Sequence, residues 1–243
     1  MTKAHHREGA VAVLACRVLQ STLTALLPGG LYRRVRFLDY GLHRSPERLK
    51  QTLQSALNAI ESPGAVVLGY GLCGNGINGI RTGRHTLIFP RVHDCIALLL
   101  GSRRAYQREM QATPGTYFLT QGWLEAGSHP LGEFREYTAR YGPDEAAWIM
   151  DQQYRNYERL ALIVHSRRDL EACRPQALEV ARFCRRWGLR YEEIMGEDRY
   201  IRRLAAIIRN PDEADAEFMV VPPGSVIRPD AILDGSGVGF ETA

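Results

Sequence analysis

The chain has 243 residues, 45% of them hydrophobic and 24% charged, with a formal net charge of +4. That is enough chain to bury a proper core in one large domain or two small ones, and the composition is that of an ordinary globular protein rather than a disordered or fibrous one. Its longest wholly apolar run, Ala10-Val-Ala-Val-Leu-Ala-Cys16, is far short of the roughly 20 residues a membrane helix needs, so no membrane span is expected.

Basic charge resides almost wholly in arginine, Lys3 and Lys50 being the only lysines, and acids are interspersed with it, as in Arg185-Arg-Trp-Gly-Leu-Arg-Tyr-Glu-Glu193. A nucleic-acid partner would want a clustered basic patch with aromatic platforms, and none is expected. The N-terminus lacks a small-residue cleavage pattern, which predicts a cytoplasmic protein. Five cysteines at irregular spacing do not form a disulfide framework and are expected as thiols.

In chain order, Val11-Ala-Val-Leu-Ala15 reads as a strand, and residues 17–27 carry apolar side chains at helical spacing until Pro28-Gly-Gly30 stops them. Val35-Arg-Phe-Leu38 is the next strand. Ser45-Pro46 opens a helix with serine at the cap and proline in the first turn, and Leu49, Leu53, Leu57 and Ile60 form its buried stripe. Ala65-Val-Val-Leu68 and Thr86-Leu-Ile-Phe89 are strands, a helix starts at Asp94 and runs past Leu100, residues 102–110 continue or restart it, and Thr116-Tyr-Phe-Leu119 is extended. Residues 121–141 are less regular. A second set follows: helix 144–156, strand 160–164, helix 171–187, strand 191–194, helix 199–209 and strand 218–221.

Strands alternating with amphipathic helices are the mark of parallel βαβ units. The expected fold is α/β, a Rossmann-like layered architecture with a mostly parallel sheet and two lobes, residues 1–125 and 126–243; with no Pro/Gly/Ser linker between the halves, one continuous domain is the alternative.

Cysteine placement is the most informative feature. Cys16, Cys73 and Cys95 each stand where a predicted strand of the first lobe ends, the edge at which open parallel sheets bind ligands. Glycines flank Cys73 in Gly69-Tyr-Gly-Leu-Cys-Gly-Asn-Gly76, and Arg91-Val-His-Asp-Cys95 brings His93 and Asp94 beside Cys95. No Cys-x-x-Cys occurs, so a shared site has to be assembled in space. Three thiolates would supply three ligands to zinc or to an iron–sulfur cluster, with Gly71, Gly74, Asn75 and Gly76 framing a bound group and His93 and Asp94 as candidate proton-handling residues.

The alternatives are a metal-free enzyme with Cys73 or Cys95 as nucleophile and His93 as base, and simple burial of small hydrophobic thiols. Cys173 and Cys184 share a helical stripe with Ala177, Val180 and Ala181 and are read as core. Asp94 equally suits a helix cap. His165 follows a strand of the second lobe, and the remaining histidines offer no ligand spacing. No nucleotide-binding glycine fingerprint opens a helix, and Pro222-Pro-Gly-Ser225 reads as a turn.

The residues Ala15-Cys16-Arg-Val-Leu19, Leu68-Gly-Tyr-Gly-Leu-Cys-Gly-Asn-Gly76, Pro90-Arg-Val-His-Asp-Cys-Ile-Ala-Leu-Leu-Leu-Gly-Ser102, Pro114-Gly-Thr-Tyr117 with Gly122-Trp123, and Val220-Val-Pro-Pro-Gly224 resemble the family catalogued as domain of unknown function 1638. The resemblance implies a cytoplasmic bacterial or archaeal protein. In methanogens it also implies an association with corrinoid-dependent methyltransferase systems, hence a corrinoid or methyltransferase-system protein as partner, and a further alternative in which the chain is a non-catalytic partner of such a system. It leaves the small-molecule ligand unknown.

Overall fold

A computed structural model describes residues 11–62, 64–228 and 240–242. It is a mixed α/β structure in which most strand pairs are parallel. Contacts divide the chain into two compact units: the first takes the described residues up to Leu98 and from Arg199 onward, and the second is Leu99–Asp198.

The first unit opens with β1 (Ala12–Cys16), a 3-10 turn over Arg17–Leu19, α1 (Gln20–Leu26) and a short α2 (Gly29–Tyr32). Then come β2 (Val35–Leu38), α3 (Pro46–Asn58), β3 (Ala65–Gly69), β4 (Thr86–Pro90) and α4 (Cys95–Leu99). Ser45 caps α3 by accepting the Arg48 N–H, and Leu49, Leu53 and Leu57 are buried as the stripe predicts.

The second unit holds α5 (Arg103–Ala112), β5 (Thr116–Thr120), α6 (Gln121–Glu125), α7 (Pro130–Tyr141), α8 (Pro143–Tyr154), β6 (Arg159–Val164), α9 (Arg167–Cys184) and β7 (Arg190–Met195). Its parallel sheet runs β5-β6-β7, with α9 packed on β6. Cys173 and Cys184 lie in this core with Leu160, Leu162, Ala177 and Val180. The segment 121–141, expected to be irregular, is mostly helical: Thr120 and His129 cap α6 and α7 through their side chains.

The chain then returns to the first unit as α10 (Arg199–Arg209), which packs on α1 and β3, and β8 (Phe218–Val221). Strand order in the first sheet is β2-β1-β3-β4-β8, parallel except that β8 runs antiparallel to β4. β9 (Ser225–Ile227) and β10 (Phe240–Thr242) form an antiparallel pair, and the Pro222-Pro-Gly-Ser225 turn is tied down where the Thr82 hydroxyl donates to the Pro222 carbonyl at 3.0 Å. The expected division at 125/126 therefore falls inside the second unit, at the end of α6. The reason is non-local: β8 pairs with β4, more than 120 residues earlier, instead of extending the second sheet.

One further difference bears on the site. The helix expected from Asp94 past Leu100 stops at Leu99, because Gly101 adopts a left-handed φ of +84°, and Ser102 starts α5 afresh by accepting the Ala105 N–H.

Candidate functional site

In the first sheet β1 has β2 on one side and β3 on the other, so the connection from β2 to β3 crosses back over β1. The carboxyl end of the β1/β3 pair is thus the point where strand order reverses, the position at which open α/β sheets bind ligands. Cys16 is the last residue of β1, and Ala15 pairs with Gly69 at the end of β3. Tyr70 to Cys73 follow β3 directly, and Cys95 is the first residue of α4 after β4.

The two motif loops are laced together. The Leu72 N–H donates to the Val92 carbonyl (3.0 Å) and the Cys73 N–H to the His93 carbonyl (2.8 Å). Gly71 is required for this approach: a Cβ there would lie 2.7 Å from the Val92 carbonyl oxygen and 2.8 Å from the Asp94 nitrogen. Three successive residues, Cys73 (φ +46°), Gly74 (+64°) and Asn75 (+67°), are left-handed, closed by the Gly76 N–H donating to the Cys73 carbonyl. Glycine and asparagine tolerate that region, whereas cysteine is strained in it.

All three thiols are buried. Burial pushes the Cys16 thiol up to about 11; a neighbouring Asp39 carboxylate adds to the rise, while the Val18 N–H and Arg17 oppose it. Burial also raises Cys73 and Cys95, and so does each one's exposure to the other sulfurs and to Asp94: Cys73 feels Cys16, and Cys95 feels both. The Gly71 and Cys95 N–H groups are directed at the Cys73 sulfur.

Tyr70 joins this group. The residue is 2% exposed, its hydroxyl has no hydrogen-bond partner among the described residues, and burial followed by the charges of Cys16, Cys73, Cys95 and Asp39 raises its pKa. A buried hydroxyl with no acceptor costs about 1–3 kcal/mol.

Of the other residues expected at this site, Asp94 caps α4, its Oδ1 accepting the Ile96 N–H at 2.9 Å, and His93 is exposed beside it. Gly74 and Asn75 are exposed; Gly76 is buried, packed against Leu49. His165 belongs to the second unit, where its Nε2 contacts the Leu99 carbonyl at 2.8 Å. Sequence reasoning passed over Tyr70 and Asp39. Tyr70 reads as one more aromatic in a glycine-rich loop, although its place directly after a strand was the available signal; Asp39 follows β2 at the same edge.

Among the described residues, no three or more His, Cys, Asp or Glu side chains are grouped tightly enough to hold a single metal ion. What the geometry provides is three buried sulfurs within electrostatic reach of one another, two carboxylates near them and backbone amides aimed at one sulfur.

The family model for a protein of unknown function, DUF1638, matches residues 37–205, more than half of the chain. The chain belongs to the DUF1638 family. The DUF1638 span includes Cys73, His93 and Cys95 and begins after Cys16. No curated protein and no solved structure matches the chain. No helix among the described residues is long and apolar enough to cross a membrane.

Proposed function

We propose that the first unit carries an iron–sulfur cluster on Cys16, Cys73 and Cys95, leaving one corner for an exogenous small molecule, and that the protein acts in cytoplasmic redox or corrinoid-linked methyl-group metabolism. The observation that carries this reading is the unpartnered Tyr70 hydroxyl among three thiols at the strand-order reversal. With sulfurs and carboxylates gathered at one point, thiolates are unfavourable until a cation arrives.

A cluster suits the spacing better than zinc. Four ligands of one zinc ion, at about 2.3 Å from it, must lie within roughly 4 Å of one another, and no such set is present among the described residues. Cysteines of a cluster bind different irons and stand further apart. Such a group would supply electron transfer, or Lewis acidity at its open corner.

The chain's own residues have definite tasks. The Gly71 and Cys95 amides would donate to the Cys73 sulfur, Tyr70 would donate its hydroxyl into the site, and exposed His93, its loop fixed by the Asp94 cap, would exchange protons with a ligand. Gly74 and Asn75 are the exposed part of the loop available to that ligand.

The metal-free thiol-enzyme reading is weaker, because burial raises Cys73 and Cys95 and leaves little thiolate at neutral pH. A corrinoid or methyltransferase-system partner rests on the family resemblance. The β2-β1-β3-β4 order supports a Rossmann-like layered architecture, and the two compact units support two lobes. Free cysteines fit the cytoplasm.

The test is a serine series in protein purified without oxygen. Cys16→Ser, Cys73→Ser and Cys95→Ser should each lose most of the iron and the visible absorbance, while Cys173→Ser and Cys184→Ser keep both. Equal iron in all five variants would refute the assignment.

A further inference from the structure

We infer that the second unit binds a phosphorylated small molecule with an apolar or planar body, in a cleft where the flank of α9 meets the start of β7. The cavity is about 540 Å³ and open to solvent on one side, within the usual size of small-molecule sites. Leu178, Ala181, Leu189 and Tyr191 give it an apolar lining, which it shares with Arg182, Arg185 and Arg190. Leu178 is 40% exposed, unusually open for a leucine in a helix that otherwise packs a core. The Tyr191 ring is steadied by its hydroxyl, which donates to Glu193 at 3.1 Å.

The charge on this cleft is visible only in three dimensions. Along the chain, Glu192 and Glu193 follow Arg185, Arg186 and Arg190 and look like their counterions. In the fold Glu192 is taken by Arg159 (3.0 Å), and Glu193 by a two-point contact with Arg174 (2.8 Å each). Arg186 turns to Asp151 and to the Phe134, Phe183 and Trp187 rings.

Among the described residues, Arg182, Arg185 and Arg190 pair with no carboxylate, whereas Arg135, Arg159 and Arg174 of the same unit do. Arg182 donates its Nε to the Leu178 carbonyl, which leaves its terminal nitrogens for a ligand. Guanidinium groups match phosphate oxygens two at a time, and an apolar lining in the same cleft selects a phosphate ester over the free ion. The site lies wholly in the second unit and is independent of the thiol site.

The probe is adenosine monophosphate, titrated calorimetrically into the full-length protein at low ionic strength, with adenosine and inorganic phosphate as half-ligands. Adenosine monophosphate should bind saturably and at least about tenfold more tightly than either half, and its affinity should fall as salt is raised. Arg185→Ala with Arg190→Ala should weaken it by about tenfold or more without lowering the thermal midpoint, since both side chains are exposed. Arg48→Ala, on α3 of the first unit, should bind as the wild type does. No saturable binding, equal affinity for adenosine, or undiminished binding by the folded double variant would overturn the inference.

Discussion

Tyr70 is the residue on which the site turns. A tyrosine that is 2% exposed and whose hydroxyl has no partner among the described residues is destabilising unless a ligand accepts its hydrogen bond. Tyr70→Phe should therefore stabilise the metal-free protein by about 1 kcal/mol in urea unfolding, and the gain should vanish in the loaded protein; a loss of stability in the metal-free form would count against an orphan hydroxyl.

Cys16 makes a second prediction, in pH. Burial pushes its thiol from the ordinary 9.0 up to about 11, so over that range the folded state holds a proton that the unfolded chain releases. That contribution is complete below about pH 9 and is lost as the pH rises toward 11. Urea midpoints of the metal-free protein should fall between pH 8.5 and about 11, and Cys16→Ser should flatten the fall; an unchanged midpoint would contradict the burial argument. The cysteines were legible in the sequence because each ends an apolar run. Tyr70's role was not, because an unmet hydrogen bond is a property of packing.

At the scale of elements, local signals gave most of the secondary structure. The Ser45-Pro46 cap, the apolar runs of β1 to β4 and the stripe of α9 all form as their spacing predicts, although α9 begins four residues before Glu171, at Arg167 behind its Ser166 cap, and carries Pro175 within it. Long-range pairing left no comparable trace. The antiparallel seat of β8 on β4 depends on a return of the chain, and the helices of 121–141 on caps supplied by Thr120 and His129.

Arg159 ties three elements of the second unit together: its guanidinium bonds Thr116 on β5, Glu109 on α5 and Glu192 on β7. Its side chain is 6% exposed and those of its two glutamates 28% and 41%, so the glutamates can regain water when it is removed. Arg159→Ala should cost about 1–3 kcal/mol in unfolding free energy, less than the breaking of a wholly buried pair; a change within 0.5 kcal/mol would show that the network contributes specificity rather than stability.

For the whole molecule, the second unit is an insertion between α4 and α10 of the first, and composition carries no trace of such nesting. The thiol site belongs to the first unit alone, so its ligand should stabilise that unit by mass action. Whether three strand-end thiols hold an iron–sulfur cluster, as proposed, is open to chemical analysis. The most direct test is the iron and acid-labile sulfide content of the wild-type protein purified without oxygen. Iron and sulfide are expected in near-equal amounts, several of each per chain. Folded protein that contains neither, or one zinc ion and no sulfide, would contradict the proposal.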